Sequence, residues 1–195
     1  FKNDMKILLQ TSNTGPLLNC LNGIKSSSND ILFFIDSDDI WESDKLKTMM
    51  KLYEEDELIS LASHRHIHIS ERGMALNIYD QTHRNMDRIE RKSLSQTERS
   101  NEYKHAILFR HRGYWLGSAY SFRKEIFDID EFDFLVNKYE EKKYVYADLT
   151  IAPYIVSKNP NYEVGYINKV FFKYRRHLSS SAPSVIDANS KVNAI

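Results

Sequence analysis

The stretch that most constrains the fold is Ile31-Leu32-Phe33-Phe34-Ile35, an apolar run that stops abruptly at Asp36, Asp38 and Asp39. Such a run reads as a strand buried on both faces, as in the middle of a parallel sheet. In open α/β sheets ligands bind outside the carboxyl ends of the strands, so these acids stand where chemistry is usually done. Carboxylates this close repel one another unless a cation or a hydrogen-bond network neutralises them. Carboxylate oxygens suit Mg2+ or Mn2+, and Mg2+ keeps positions for water and substrate phosphates. The pattern implies a divalent-cation site that takes a phosphate ligand. A solvated acidic turn capping the next helix is the plainer alternative.

The flanks supply the rest of an α/β unit. Met5 to Gln10 reads as a strand, Ser12 to Pro16 as a turn, and Leu17, Leu18, Leu21 and Ile24 fall at helical spacing, which makes a βαβ crossover. Beyond the acids, Ser43 is placed to cap a helix reaching about Glu55, with Leu46, Met49, Met50 and Tyr53 on its core face. Residues 57–69 alternate as a strand that carries His64, His66 and His68 on one face. Neighbouring imidazoles there could share Zn2+, but spacing fixes no third ligand type, and polar side chains facing solvent or a cleft are the preferred reading. Residues 80–105 are polar and charge-rich, which predicts a mobile excursion with little helix.

Composition narrows the partners. A chain of 195 residues with 42% hydrophobic content buries one ordinary core, and one α/β domain is expected. Lys plus Arg and Asp plus Glu are 27 each, so bulk charge favours neither nucleic acid nor an anionic membrane. The single cysteine, Cys20, excludes an intrachain disulfide and fits a reducing compartment such as the cytoplasm. No apolar run has transmembrane length, and no signal peptide is visible. The start at Phe1 reads as that of an internal fragment.

With its flanks, the acid stretch resembles the DxD region of inverting family 2 glycosyltransferases. Asn13 and Gly15, then Asn22, Gly23 and Ile24, then the apolar strand, Asp36, Asp38, Asp39, Trp41 and Asp44-Lys45-Leu46 keep that family's spacing. Leu21, Asn29 and Ser43 stand where Asn, Gly and Pro are usual. Further on, Ser118 with Phe122-Arg123-Lys124-Glu125, Asp148, and Tyr174-Arg175-Arg176-His177 are similar to later motifs of the family, although Ala147 replaces the usual Glu before Asp148.

The resemblance implies a GT-A fold, a Rossmann-like mixed sheet flanked by helices, here lacking the first βαβ unit. It implies a single catalytic domain over 1–181 and a tail over 182–195. It also implies transfer of a sugar from a nucleotide diphosphate, a UDP-sugar first, to a glycan or lipid-linked acceptor in cell-surface glycan synthesis. Asp38, Asp39 and His177 would then hold Mn2+ or Mg2+. Asn13, Gly15, Asn22, Asp36, Asp38, Arg175 and Arg176 would bind the donor, and Asp148 would be the catalytic base or merely a helix cap. Trp115 and Tyr120 would stack on sugar rings or sit in the core. Peripheral attachment to the inner face of a membrane would come through parts outside this stretch. Two rivals remain at this level. A haloacid-dehalogenase-type phosphotransferase is disfavoured by Asp39 and the preceding βαβ unit, and a non-catalytic domain of the same fold would bind sugar nucleotides without turnover.

Overall fold

The computed structural model describes residues 6–109, 116–138 and 146–177. Trp115 and the expected tail over 182–195 lie outside them. In chain order the elements are α1 (Pro16–Ser26), β1 (Ile31–Phe33), β2 (Ile40–Trp41), α2 (Lys45–Glu55), β3 (Ile59–Ile69), β4 (Ala75–Leu76), α3 (Gln81–Glu90), α4 (Gln96–Phe109), β5 (Ser121–Arg123), α5 (Ile129–Asn137), α6 (Asp148–Lys158) and β6 (Glu163–Arg175).

The strands form one mixed sheet in the order β1-β5-β3-β6-β2, with β4 paired to β3. Its spine is the parallel pair of long strands β3 and β6, in register from Ile59 opposite Glu163 to Ile69 opposite Arg175 with local irregularities. The remaining pairs, β1 with β5, β5 with β3, β2 with β6 and β4 with β3, are antiparallel. Leu17, Leu21 and Ile24 of α1 and Ile151 and Ile155 of α6 pack with Leu61 and Phe122 in one core. Met49 and Tyr53 of α2 pack with Ile59 and Ala62 in another. Helices therefore flank the sheet as expected.

The acid-bearing strand departs from expectation. Only Ile31–Phe33 is strand, and it pairs antiparallel with β5. No other described strand lies beside it, so it is not the middle of a parallel sheet among the described residues. Residues 6–10 form no strand, and Ile7, Leu8 and Leu9 are 69%, 41% and 89% exposed. A strand persists only where a neighbour takes its backbone N–H and C=O groups, and among the described residues none does so here. The expected βαβ unit is thus reduced to its helix and second strand.

Two helices replace the expected excursion. Met86 and Ile89 of α3, and Tyr103, Ala106 and Ile107 of α4, are buried. Apolar residues are sparse there, but they recur at helical spacing, so each helix has a narrow buried stripe under a charged exterior. Glu90 joins the two helices by accepting from the Tyr103 hydroxyl and from Arg99 at 3.1 Å. In α2 the buried stripe is Lys45, Met49 and Tyr53, while Leu46 is exposed. Ser43 does not cap α2; Asp44 holds the cap position and directs its carboxylate to Lys169 at 2.5 Å.

Candidate active site

Residues 36–39 leave β1 in a turn closed by the Asp39 N–H donating to the Asp36 carbonyl at 3.1 Å. The next strand, β2, pairs Ile40 with Lys173 and Trp41 with Phe172. That register carries the end of β6 alongside the acids. The Arg175 N–H donates to Asp39 Oδ1 at 3.0 Å, and its Nε–H to the Asp38 carbonyl at 2.7 Å. Its Nη1 reaches the Glu71 carbonyl at 2.7 Å. Arg175 is therefore a clamp on the acid turn, with its planar fork engaged on backbone carbonyls. His177 Nε2 lies 2.7 Å from Asp38 Oδ2.

The floor of the site is the turn over residues 117–119. The Ser118 hydroxyl accepts from the Asp36 N–H at 2.9 Å. Its carbonyl accepts from Trp41 Nε1 at 3.0 Å and from Lys45 Nζ at 2.5 Å. Lys45 is fully buried and sits 3.8 Å over the Trp41 ring. Burial pushes its ammonium down to about 7, against the pull of Asp39. Lys45 and Trp41 are the contributors that sequence reasoning left without a role. The available signal was that Lys45 stands one turn before Met49 and two before Tyr53, on the apolar stripe.

Asp39 is buried at 8% exposure, and its second oxygen, Oδ2, makes no contact of hydrogen-bond geometry. Burial raises its carboxyl to about 6, although the Ser118 side chain lies close enough to lower it. Asp36 is also raised, by desolvation and then by the charge of Asp38. Across the turn, Asp148 opens α6, where the positive end of the helix favours its carboxylate. It does not hold the cap position, which falls to Ala147. Burial and then the charge of Asp36 nonetheless raise Asp148 to about 6. Cys20 of α1 feels both acids, and burial first pushes its thiol up to about 12, so it is no nucleophile.

Asp36, Asp38, Asp39, Arg175, His177 and Asp148 are thus brought to one end of the sheet. Asn13 and Gly15 shape the entry to α1: the Asn13 side chain accepts from the Gly15 N–H at 3.0 Å, and Gly15 has φ of 85°. Only glycine adopts that backbone without cost. Asn22 is two residues from Cys20, roughly 200° around the helix, so α1 does not turn both toward the acids. Arg176 turns away from the acids, with its Nε on His68 Nδ1 at 3.0 Å and its guanidinium 4.6 Å over Tyr174. Tyr120 is a core residue, 1% exposed, tilted against Phe34 and stacked on Phe122, and offers no platform for a sugar.

A mixed sheet flanked by helices, with clustered acids at the end of β1 and a basic strand end beside them, is the arrangement of a GT-A fold. Residues 1–126 match the family model described as glycosyl transferase family 2, and the chain belongs to that family. Among solved structures it is similar to S. aureus TarS 1-349 in complex with UDP-GlcNAc, with 12% identity and a TM-score of 0.51, covering 91% of this chain and 44% of that one. A second structure of S. aureus TarS 1-349 aligns at 13% identity and a TM-score of 0.47, covering 86% of this chain and 42% of that one. The chain therefore spans less than half the length of these structures. No curated protein matches it.

Proposed function

We propose that this chain carries the donor and catalytic site of a glycosyltransferase that moves a sugar from a nucleotide diphosphate to an acceptor hydroxyl, with inversion, in making a cell-surface glycan. The carrying observation is the buried, unpartnered Oδ2 of Asp39 beside Asp38 and His177. A buried carboxylate oxygen without a donor is costly in a protein. It fits a divalent cation, and an imidazole beside carboxylates suits Mn2+ better than Mg2+. Asp38, Asp39 and His177 would hold the ion, which when bound neutralises charge building on the leaving diphosphate. Arg175 keeps the acid turn in shape, while Arg176 has to swing from Tyr174 to reach a phosphate.

Asp148 is the base in this reading. Its carboxyl, at about 6, is ionised at neutral pH yet close enough to it to accept a proton efficiently. Direct displacement with one base and no protein nucleophile gives inversion. The TarS structure holds UDP-GlcNAc, so a UDP-sugar is the donor to try first, with a glycan or lipid-linked acceptor. Among the described residues no helix is long and apolar enough to cross a membrane. Action on a lipid-linked acceptor at the cytoplasmic face would therefore be peripheral or through other parts of the protein.

Calorimetric titration of UDP and then GDP, with and without Mn2+, tests the donor site. We expect binding of one nucleotide that requires Mn2+ and disappears in Asp38→Ala. Nucleotide binding indifferent to both the metal and the substitution, or no binding in Mn2+, would sink the assignment.

A further inference from the structure

A second group of metal-ligating side chains lies apart from the acid turn, between β3 and α3. His66 and His68 share one face of β3, as alternation requires, and both are buried, as is His64. The expectation that this face meets solvent or a cleft is therefore wrong: α3 covers it. Asp80 caps α3 by accepting from the His83 N–H at 3.1 Å, which puts His83 one turn in and aims both side chains at the strand. Ligand atoms of His66, His68, Asp80 and His83 all lie within 4.8 Å of one another.

The ring protons decide which of these groups can bind an ion. His83 Nε2 donates to the His66 carbonyl at 2.8 Å, which leaves the lone pair of neutral His83 on Nδ1. That Nδ1 is buried without a hydrogen-bond partner, 3.1 Å from Asp80 Oδ1. His66 Nε2 is likewise buried and makes no contact of hydrogen-bond geometry, although Asp80 Oδ2 lies 3.4 Å away and acts on it. Two imidazole nitrogens and a carboxylate therefore converge, and the outer N–H of His83 is anchored on a backbone carbonyl, as is usual for metal-bound imidazole. His68 is held differently. Its Nδ1 accepts from Arg176, so its proton sits on Nε2, which donates to Asp80 at 2.8 Å. It orients the carboxylate.

We infer that His66 Nε2, Asp80 and His83 Nδ1 form a second cation site, for Zn2+ or a similarly borderline divalent ion, with His68 positioning Asp80. Tetrahedral ligands at about 2.0–2.2 Å from an ion lie roughly 3.3–3.6 Å apart, close to the 3.1 and 3.4 Å that separate Asp80 from His83 and His66. Through His68 and Arg176 the site also reaches the end of β6. The inference stands whatever the donor proves to be, because none of its three ligands belongs to the acid turn.

Zn2+ alone, then Co2+ alone, should be titrated into the chain in excess Mg2+, which occupies oxygen sites but competes poorly for imidazole. We expect one tight Zn2+ per chain and tetrahedral Co2+ absorption. Both should persist in Asp38→Ala and disappear in His83→Ala, and His68→Ala should weaken Zn2+ by about 10- to 100-fold, as loss of an outer partner does. No Zn2+ binding by the unmodified chain would overturn the site and leave a doubly protonated His83 paired with Asp80. Binding lost in Asp38→Ala but kept in His83→Ala would equally overturn it. His66→Ala serves as a second variant where His83→Ala fails to fold, with the same loss of Zn2+ and Co2+ binding expected and retention of both overturning the site.

Discussion

Asp148→Asn is expected to reduce transfer by about 10²- to 10⁴-fold, the usual contribution of a positioned general base, while leaving Mn2+-dependent UDP binding unchanged. The amide keeps the size and the hydrogen-bonding oxygen of the carboxylate but cannot take a proton. The measurement is UDP release from UDP-GlcNAc in Mn2+, set beside calorimetry on the same variant. Equal losses of turnover and of UDP affinity would place Asp148 in donor binding and remove it as the base.

The pH profile separates the roles further. Asp148 and Asp39 are both raised to about 6, chiefly by burial, and each must be ionised to act. Activity should therefore fall as pH drops through about 6. With Mn2+ bound, the ion holds Asp39 ionised, so the acid limb of kcat/KM should follow the single proton on Asp148. Asp36 lies between them in effect, since its charge helps raise both. In Asp36→Asn the limb should move to lower pH, whatever that change does to the maximal rate. A limb that stays in place would show that Asp148 does not govern it.

The sequence revealed the acid turn because its chemistry is local: an apolar run and three acids are contiguous, so spacing alone places them. The end of β6 was legible for the same reason, as Tyr174, Arg175 and His177 follow one another. What spacing could not supply was the register between segments. The Trp41 and Phe172 pairing brings His177 to Asp38 across 139 positions, and nothing in either segment announces it. Residues 80–105 were misread because two short stripes, Met86 with Ile89 and Tyr103 with Ala106 and Ile107, are diluted by charge. The third ligand of the histidine cluster was missed on the same account, since His83 becomes a neighbour of His66 only once α3 has formed. The run at Ile7 to Leu9 failed in the opposite direction, where good strand propensity met no partner strand.

Asp39→Asn is expected to stabilise the metal-free chain at pH 8 while abolishing Mn2+-dependent UDP binding. A carboxyl moved from 3.8 to about 6 by the fold is held ionised at pH 8 at a cost of up to ~3 kcal/mol. The sign follows from proton binding. Between these values the folded state holds the proton more tightly than the unfolded chain, so this group favours folding most at low pH, and that advantage is lost as pH rises through about 6. Asn keeps the Oδ1 acceptor for the Arg175 N–H, and its neutral amide removes the repulsion that Asp38 and Asp36 exert on the carboxylate. Lys45 would lose a counter-charge, but burial holds it down to about 7, so at pH 8 it is largely neutral and little is forfeited. Thermal melts at pH 8 should show the variant several degrees more stable, since ~1 kcal/mol moves a domain of this size by about 2–4 °C, with the gap closing toward pH 4. A variant less stable than the parent at pH 8 would mean that the Asp39 charge is satisfied by its surroundings without an ion. The buried unpartnered oxygen would then lose its meaning as a metal ligand, and the donor site would have to be sought around Asp36 and Asp38 alone.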